Sequence, residues 1–408
     1  MTREIYFVKI HRTYSLVGIG LASVLLIGTG AGSAIAQPTA VAAKKTSVST
    51  VNKKQAMSAA DKAAIDAAAA QAVAASPDAA PGLWVAVWDP KKGYYEQAYG
   101  KAVLPSTPAT RADHFRIGSI TKTVFATAVL EQVAAGKLAL SDTVKRLDPA
   151  LARKFPTIGK YTVAQLLSMK TQIPDYAEAA VDALVANSQQ RFTREELIAL
   201  GLEKGKPLSS AGGYSTTNYI ILGLIMQKLT GKTPEALING VFAQAGMTQS
   251  ALPGPSKSMP APAAHGYVGN VYGEQFVKIN PAVTATTDVT DWAFYWGREG
   301  GGAYSTIGDL ATWGGTCLGN SLLPKSIVAK RLVFSSIDVG SYGRGIIKQG
   351  DWFSHEGQAI GYEANVSCNP KTGAVTAWAV NSTEGSLFLN DAIGPVAFPE
   401  YYAASQAK

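Results

Sequence analysis

Phe115-Arg116-Ile117-Gly118-Ser119-Ile120-Thr121-Lys122 opens a segment that stays apolar on nearly every face until Gly136. Val124, Phe125, Ala126, Ala128, Val129, Leu130 and Val133 follow a small-residue turn at Gly118-Ser119. A helix with apolar side chains all round is buried on most sides, not laid on a surface. Gly136 supplies a left-handed C-cap. Ser119 then stands at the helix N-terminus, with Lys122 one turn further along the same face. A serine hydroxyl is a poor nucleophile until a base stands beside it. A buried lysine loses solvation of its charged form, so its pKa falls towards the range of a base. A second Ser-x-x-Lys, Ser405 to Lys408, has no apolar helix behind it.

Working outward, the 408 residues suffice for two ordinary domains or one large domain with an insertion. Hydrophobic residues make up 47% and charged residues 16%, which supports a large core and excludes wholesale disorder. The net charge is +8, but the basic residues are scattered and form no stripe interleaved with aromatics. Nucleic-acid binding is therefore not expected. Residues 1–36 read as a signal peptide: Arg3, Lys9 and Arg12, an apolar run from Leu16 to Ile27, then Ala34-Ile35-Ala36. That run is glycine-broken and short for a stable membrane span. The expected location is periplasmic or secreted, where Cys317 and Cys368 are free to pair. Their spacing leaves a bond and two buried thiols equally open.

Residues 37–57 read as a linker and 58–400 as one domain. Ser58 to Ala75 is alanine-rich and helical in propensity. Gly82 to Asp89 and Tyr94 to Val103 read as a hairpin across Pro90-Lys91-Lys92-Gly93. From about 119 to 299 the pattern is helical, with short helices expected at Thr162–Met169, Arg194–Leu202, Tyr219–Leu229 and Pro234–Ala245. A further helix follows at Thr306–Leu318. Strand patterns return at Trp352–His355, Gly361–Cys368 and Ala374–Asn381, and the tail from Leu387 reads as a last helix. Strands at both ends (about 58–118 and 300–400) around a helical middle predict an α/β (α+β) fold with an all-helical insertion.

Other catalytic routes leave no trace. There is no Gly-x-Ser-x-Gly, no His-Glu-x-x-His, no clustered Cys and His, and no phosphate-binding glycine loop. No metal or organic cofactor is expected. Two further stretches bear on the serine. Gly213-Tyr214-Ser215-Thr216-Thr217-Asn218-Tyr219 leads into a helix, and a tyrosine at such a junction beside a lysine is a candidate general base. Taken alone, a packed aromatic is the commoner explanation. His355-Glu356-Gly357-Gln358 lies on a strand where Gly357 lets a ligand approach the backbone. Backbone N–H groups of Ser119 and Gln358 are then candidates for an oxyanion hole.

The order Ser119-x-x-Lys122, Tyr214-x-Thr216, His355-x-Gly357 resembles the serine β-lactamase-related family. That family includes class C β-lactamases, D-alanyl-D-alanine carboxypeptidases and related esterases. The likeness extends from about 78 to 385 and takes in Gly136-Lys137-Leu138, Ile173-Pro174-Asp175-Tyr176, Ser305–Leu310 and Tyr342-Gly343. It implies a β-lactamase/transpeptidase-like fold, a central antiparallel sheet flanked by helices. It also implies acyl transfer: Ser119 attacks, Lys122 and Tyr214 relay the proton, and His355 sits beside the Tyr214 hydroxyl. Ser119 and Gln358 N–H groups hold the oxyanion, and Thr216, Glu356 and Gly357 contact substrate.

Three departures bear on the substrate. Thr216 stands where the family has Asn, and lacks the amide that meets both substrate and lysine. Glu356 stands where carboxylate-recognising members often have Thr. Leu167-Ser168-Met169-Lys170-Thr171-Gln172-Ile173 replaces the family's His-Thr-Ser-Gly stretch, which predicts a reshaped loop beside the site. The expected function is a secreted serine hydrolase acting on an ester, an amide or a small D-amino-acid peptide. Carboxypeptidase or β-lactamase activity is one alternative, and a non-catalytic peptidoglycan-binding envelope protein is the other. The expected partner is a small-molecule or short-peptide substrate, with peptidoglycan as one source.

Overall fold

Glycine and hairpin turns chain the strands into one antiparallel sheet, seen in a computed structural model that describes residues 51–75, 81–254, 258–383, 393–394 and 396–398. The strands are β1 (Gly82–Asp89), β2 (Gly93–Val103), β3 (Thr107–Pro108), β4 (Phe115–Arg116), β5 (Tyr304–Ser305) and β6 (Ser335–Ile337). They continue with β7 (Gly340–Tyr342), β8 (Ile347–Gln349), β9 (Trp352–Ala359), β10 (Tyr362–Cys368) and β11 (Val375–Val380). Nine form a sheet in the order β3-β2-β1-β11-β10-β9-β8-β7-β6, while β4 and β5 pair separately. The first and the last strand pair inside the sheet, β1 with β11, Leu83 opposite Val380.

Both faces of β1 are buried because both are covered. Leu83, Val85 and Val87 join Trp378 and Val380 against α1 (Ala59–Ala75), whose Ile65, Ala68 and Ala69 close that side. The other face packs on the helix Ile307–Gly315, where a Cβ at Gly314 would meet Val375 Cγ1 at 2.3 Å. Helix α2 (Thr121–Ala134) lies deeper still, buried continuously from Thr121 to Leu130. Its polar residues are matched internally. Trp313 Nε1 donates to Thr123 Oγ1 at 2.7 Å, and Arg331 Nη1 to Thr127 Oγ1 at 3.0 Å. Gly136 ends the run with φ of +68°.

Several element bounds differ from the sequence reading. The expected helix Thr162–Met169 spans only Val163–Leu167, because Met169 takes a left-handed φ of +60° and turns the chain. The helix after Tyr214 begins earlier, at Thr217, and Arg194–Lys204 runs two residues longer. Residues 51–57 are not a loose linker. Met57 is buried, its N–H bonds Tyr94 O, and Lys53 Nζ donates to Gly308 O at 2.8 Å. The expected signal peptide, the expected linker at 37–50, Ser405–Lys408 and most of the expected tail helix lie outside the described residues. Cys317 and Cys368 form a disulfide tying the segment after the helix Ile307–Gly315 to β10. Among the described residues, no helix is long and apolar enough to cross a membrane.

Candidate active site

Ser119 lies in a tight 3-10 turn, Gly118–Ile120, that runs directly into α2 and puts Lys122 beneath it. Gly118 makes that turn with φ of +48°. Strand β8 covers β9 only as far as Ser354, which faces Ile347. Beyond that point the β9 edge lies against the serine turn, backbone to backbone. A Cβ at Gly357 would fall 1.8 Å from Ile117 O and 3.1 Å from Ser119 N. One at Gly118 would fall 2.4 Å from Gln358 N. Only two glycines facing each other let the backbones of β9 and the serine turn approach this closely beside Ser119 N and Gln358 N.

Lys122 is fully buried and makes three hydrogen bonds through Nζ. They reach Ser119 Oγ at 2.9 Å, Thr216 Oγ1 at 3.3 Å and Gly300 O at 2.6 Å. Burial pulls its pKa down to about 7, with Asp175 opposing. The Thr216 hydroxyl gives its own hydrogen to Asp175 Oδ2 at 3.3 Å, so towards Lys122 it acts as acceptor. Gly300 O is an acceptor only. A neutral amine has two hydrogens and one lone pair. With both hydrogens directed at Gly300 and Thr216, the lone pair points to Ser119. Thr216 thus keeps the lysine contact that the sequence reading took as lost with the family's Asn. A hydroxyl oxygen serves where only an acceptor is needed.

The Tyr214 ring lies 4.8 Å from Lys122 Nζ. Its hydroxyl is buried, with no hydrogen-bond partner at ordinary geometry among the described residues. Burial raises this hydroxyl well above the usual phenol range, although the neighbouring Ser119 hydroxyl works the other way. This weighs against Tyr214 as the general base that the sequence made it a candidate for. A low-dielectric site disfavours the phenolate, so Lys122 is the better base and Tyr214 is suited to pass a proton as a neutral hydroxyl. The loop flagged at 167–173 forms the support of Tyr214. Gly213 N–H donates to Met169 O at 3.2 Å, and Thr171 Oγ1 donates to Asn218 Oδ1 at 2.8 Å.

His355 packs against Tyr214 with ring centroids 6.3 Å apart, but its hydrogen bonds go elsewhere. Nδ1 lies 2.6 Å from Glu356 O and Nε2 lies 3.0 Å from the Tyr342 hydroxyl. The carbonyl requires Nδ1 to donate, leaving Nε2 to accept from Tyr342. Burial and the nearby Lys122 pull the His355 pKa down to about 3. It is a neutral prop, and the expected partnership with the Tyr214 hydroxyl is taken by Tyr342. Tyr342 was not among the site residues expected from sequence, although Tyr342-Gly343 belonged to the resemblance. Asp175 and Gly300 were also missed as site residues, since nothing in their local sequence announces a contact with Lys122. Glu356 alternates with His355 and Gly357 along β9 and so projects from the opposite face of the sheet. It is half-buried, and burial raises its pKa.

Two carboxylates adjoin the Lys122–Tyr214 group: Asp175 accepts from Thr216, and Asp338 Oδ1 accepts the Tyr214 N–H at 2.9 Å. Among the described residues no cluster of three or more His, Cys, Asp or Glu side chains could hold a metal ion.

A serine at a helix start with a buried lysine hydrogen-bonded to it thus lies on a β-lactamase/transpeptidase-like fold. The Beta-lactamase family model matches residues 69–394, and the chain belongs to that family. Its fold is similar to the D-amino acid amidase of Ochrobactrum anthropi SV3 complexed with D-phenylalanine. The TM-score is 0.71 at 21% identity, covering 86% of this chain and 100% of that one. A D-stereospecific amidohydrolase from a Streptomyces species gives a TM-score of 0.68 at 24% identity, covering 81% and 98%. Likeness at these identities speaks for the fold alone. "Putative penicillin-binding protein PbpX" of Bacillus subtilis (strain 168) is 25% identical over 264 residues, 64% of this chain and 60% of that protein. The chain therefore spans about three-fifths of that relative's length.

Proposed function

We propose that this chain is an exported serine hydrolase that forms an acyl-enzyme on Ser119 and cleaves the amide or ester bond of a small substrate carrying a free ammonium group. D-amino-acid amides and short D-peptides are the leading candidates. The observation that carries the reading is the set of three bonds at Lys122 Nζ. In the proposed reaction the neutral lysine takes the Ser119 proton as Oγ adds to the substrate carbonyl. The carbonyl oxygen, now negative, is held by the N–H groups of Ser119 and Gln358. The proton passes through the Tyr214 hydroxyl to the leaving amine or alcohol, and the C–N or C–O bond breaks. Water then adds to the acyl-enzyme by the same relay and releases the acid.

The substrate class follows from charge. A substrate carboxylate 4 Å from a fixed carboxylate is repelled by about 1–4 kcal/mol, and an ammonium is attracted equally. Asp175, bonded to Thr216, and Asp338, bonded to the Tyr214 N–H, therefore favour an ammonium and oppose the free carboxylate of a penicillin or a D-Ala-D-Ala terminus, whereas Glu356 projects away from the site. Both amidases with similar folds are named for D-configured substrates, which agrees with this choice.

The test compares a D-amino-acid amide, its N-acetylated form and a penicillin, with intact-protein mass and turnover as readouts. Hydrolysis of the free-amine amide, weak hydrolysis of the acetylated one and loss of both in Ser119→Ala support the reading. Asp338→Asn is expected to narrow the preference for the free amine over the acetylated form. A stable penicillin adduct that depends on Ser119 would overturn the charge argument. Silence with every substrate would favour the binding-protein alternative.

A further inference from the structure

We propose that the buried ion pair Arg194–Glu299 is a positioning device for Lys122, acting through the Gly300 carbonyl. This rests on the reading of Lys122 as the base. The shortest of the lysine's bonds goes to Gly300 O, yet Gly300 has no side chain with which to hold itself in place. It also cannot acquire one, since a Cβ there would lie 2.4 Å from Thr216 Cγ2. Its position is inherited from its neighbours in the single turn Arg298–Gly301.

The neighbour that anchors it is Glu299, whose side chain is 0% exposed. Arg194 grips it in a fork, with Nε at 2.9 and 3.1 Å from the two carboxylate oxygens and Nη2 at 2.9 Å from Oε2. Arg194 also holds Glu235 Oε1 at 2.9 Å, an oxygen that accepts the Tyr295 hydroxyl at 2.7 Å. The carboxylate is thus clamped among three helices, Arg194–Lys204, Thr217–Thr230 and Pro234–Ala245. Room for it is made by Gly223, where a Cβ would lie 1.7 Å from Glu299 Oε1. On the other side Arg298 sits at φ of +41°, a left-handed conformation costly for a residue with a side chain.

A buried ion pair is a poor source of stability, because desolvation offsets most of the attraction. What it supplies is fixed geometry, and a fork of two parallel N–H···O bonds fixes it in two dimensions. The geometry that this one fixes is one peptide unit from the oxygen that receives a Lys122 hydrogen. If Gly300 O drifts, that hydrogen is free to turn elsewhere and the lone pair no longer points at Ser119.

Glu299→Gln keeps the shape and weakens the fork. Its expected signature is a fall in kcat of about ten-fold with KM within about two-fold, as a misdirected catalytic group produces. The Lys122 titration, followed by NMR of the lysine side chain, is expected to move to lower pH, because the ammonium loses its best acceptor. Glu235→Gln is the control: it touches the same Arg194 but not the Gly300 turn. It is expected to lower the melting temperature while leaving kcat and the Lys122 titration unchanged. Arg194→Lys, which keeps the charge and loses the fork, replaces Glu299→Gln if that variant fails to fold.

Unchanged kcat and Lys122 titration in Glu299→Gln, or equal effects from Glu235→Gln, would overturn the proposal and leave the pair purely structural. A shifted titration in a protein that hydrolyses nothing would retain the positioning role and discard the hydrolase reading.

Discussion

A lysine ammonium removed from water, with the Asp175 carboxylate reached through Thr216, is pushed towards its neutral form, and the consequences at Lys122 are measurable. kcat/KM is expected to rise as pH increases through about 7, the value to which burial pulls Lys122. His355 adds no limb in that range, since it stays neutral above about 3. The same shift enters stability with a definite sign. Between about 7 and 10.5 the unfolded chain binds this proton and the folded chain does not, so stability rises with pH across that window. Titration of the urea midpoint against pH, compared with Lys122→Met, reads that slope. Thr216 is the second residue to test. Thr216→Val removes the bridge between Asp175 and Lys122 at constant shape and is expected to lower kcat about ten-fold, the upper end of one ordinary hydrogen bond. Steady-state kinetics with unchanged KM would confirm it, and an unchanged kcat would mean that the bridge is idle.

At the scale of elements, the site exists because β9 continues past the end of β8 and meets the serine turn across two glycines. Gly357→Ala places a methyl where Ile117 O lies at 1.8 Å. The strand must then back away, separating the Gln358 N–H from the Ser119 N–H. The expected loss is about 100-fold or more in acylation rate, comparable to deletion of an oxyanion donor. Burst kinetics with an activated ester would show it, and a loss below about ten-fold would mean that the oxyanion is held elsewhere. Much of this element was legible beforehand. The apolar run after Ser119 and the strand pattern around Gly357 placed the two halves, and the resemblance joined them. What was not legible was the shortening at Met169: a left-handed φ at a methionine has no local sequence signal, and it is imposed by the packing of the Tyr214 loop.

For the molecule as a whole, the sheet brings residues about 300 positions apart into one core, and the disulfide adds a covalent tie within it. Cys317 and Cys368 are separated by 51 residues. Closing a loop of that length removes enough freedom from the unfolded chain to stabilise the fold by about 4 kcal/mol. The double variant Cys317→Ser/Cys368→Ser is expected to unfold at correspondingly lower urea, with activity at 25 °C retained because neither cysteine is among the hydrogen-bond partners of Lys122. A midpoint equal to that of the native protein would show that the tie constrains nothing in the unfolded state. The packing of residues 51–57 belongs to this scale too. Their composition reads as a tether, and only the position of β2 and Gly308 gives Met57 and Lys53 something to bind.

Local pattern by itself determined the helix behind Ser119, the hairpins at both ends and the helical middle, while Ser119, Lys122, Tyr214 and His355 were joined as a candidate site by motif order and the family resemblance. Each depends on periodicity, turn chemistry or motif order over a few residues. Tertiary structure alone decided how those residues are used. It turned His355 to Tyr342, replaced a lost amide by the Thr216 hydroxyl, brought Asp175 and Gly300 O to Lys122, and closed the disulfide. The reason is that hydrogen-bond direction and burial are properties of neighbours far apart in the chain, and a lysine becomes a base only when all of them have arrived.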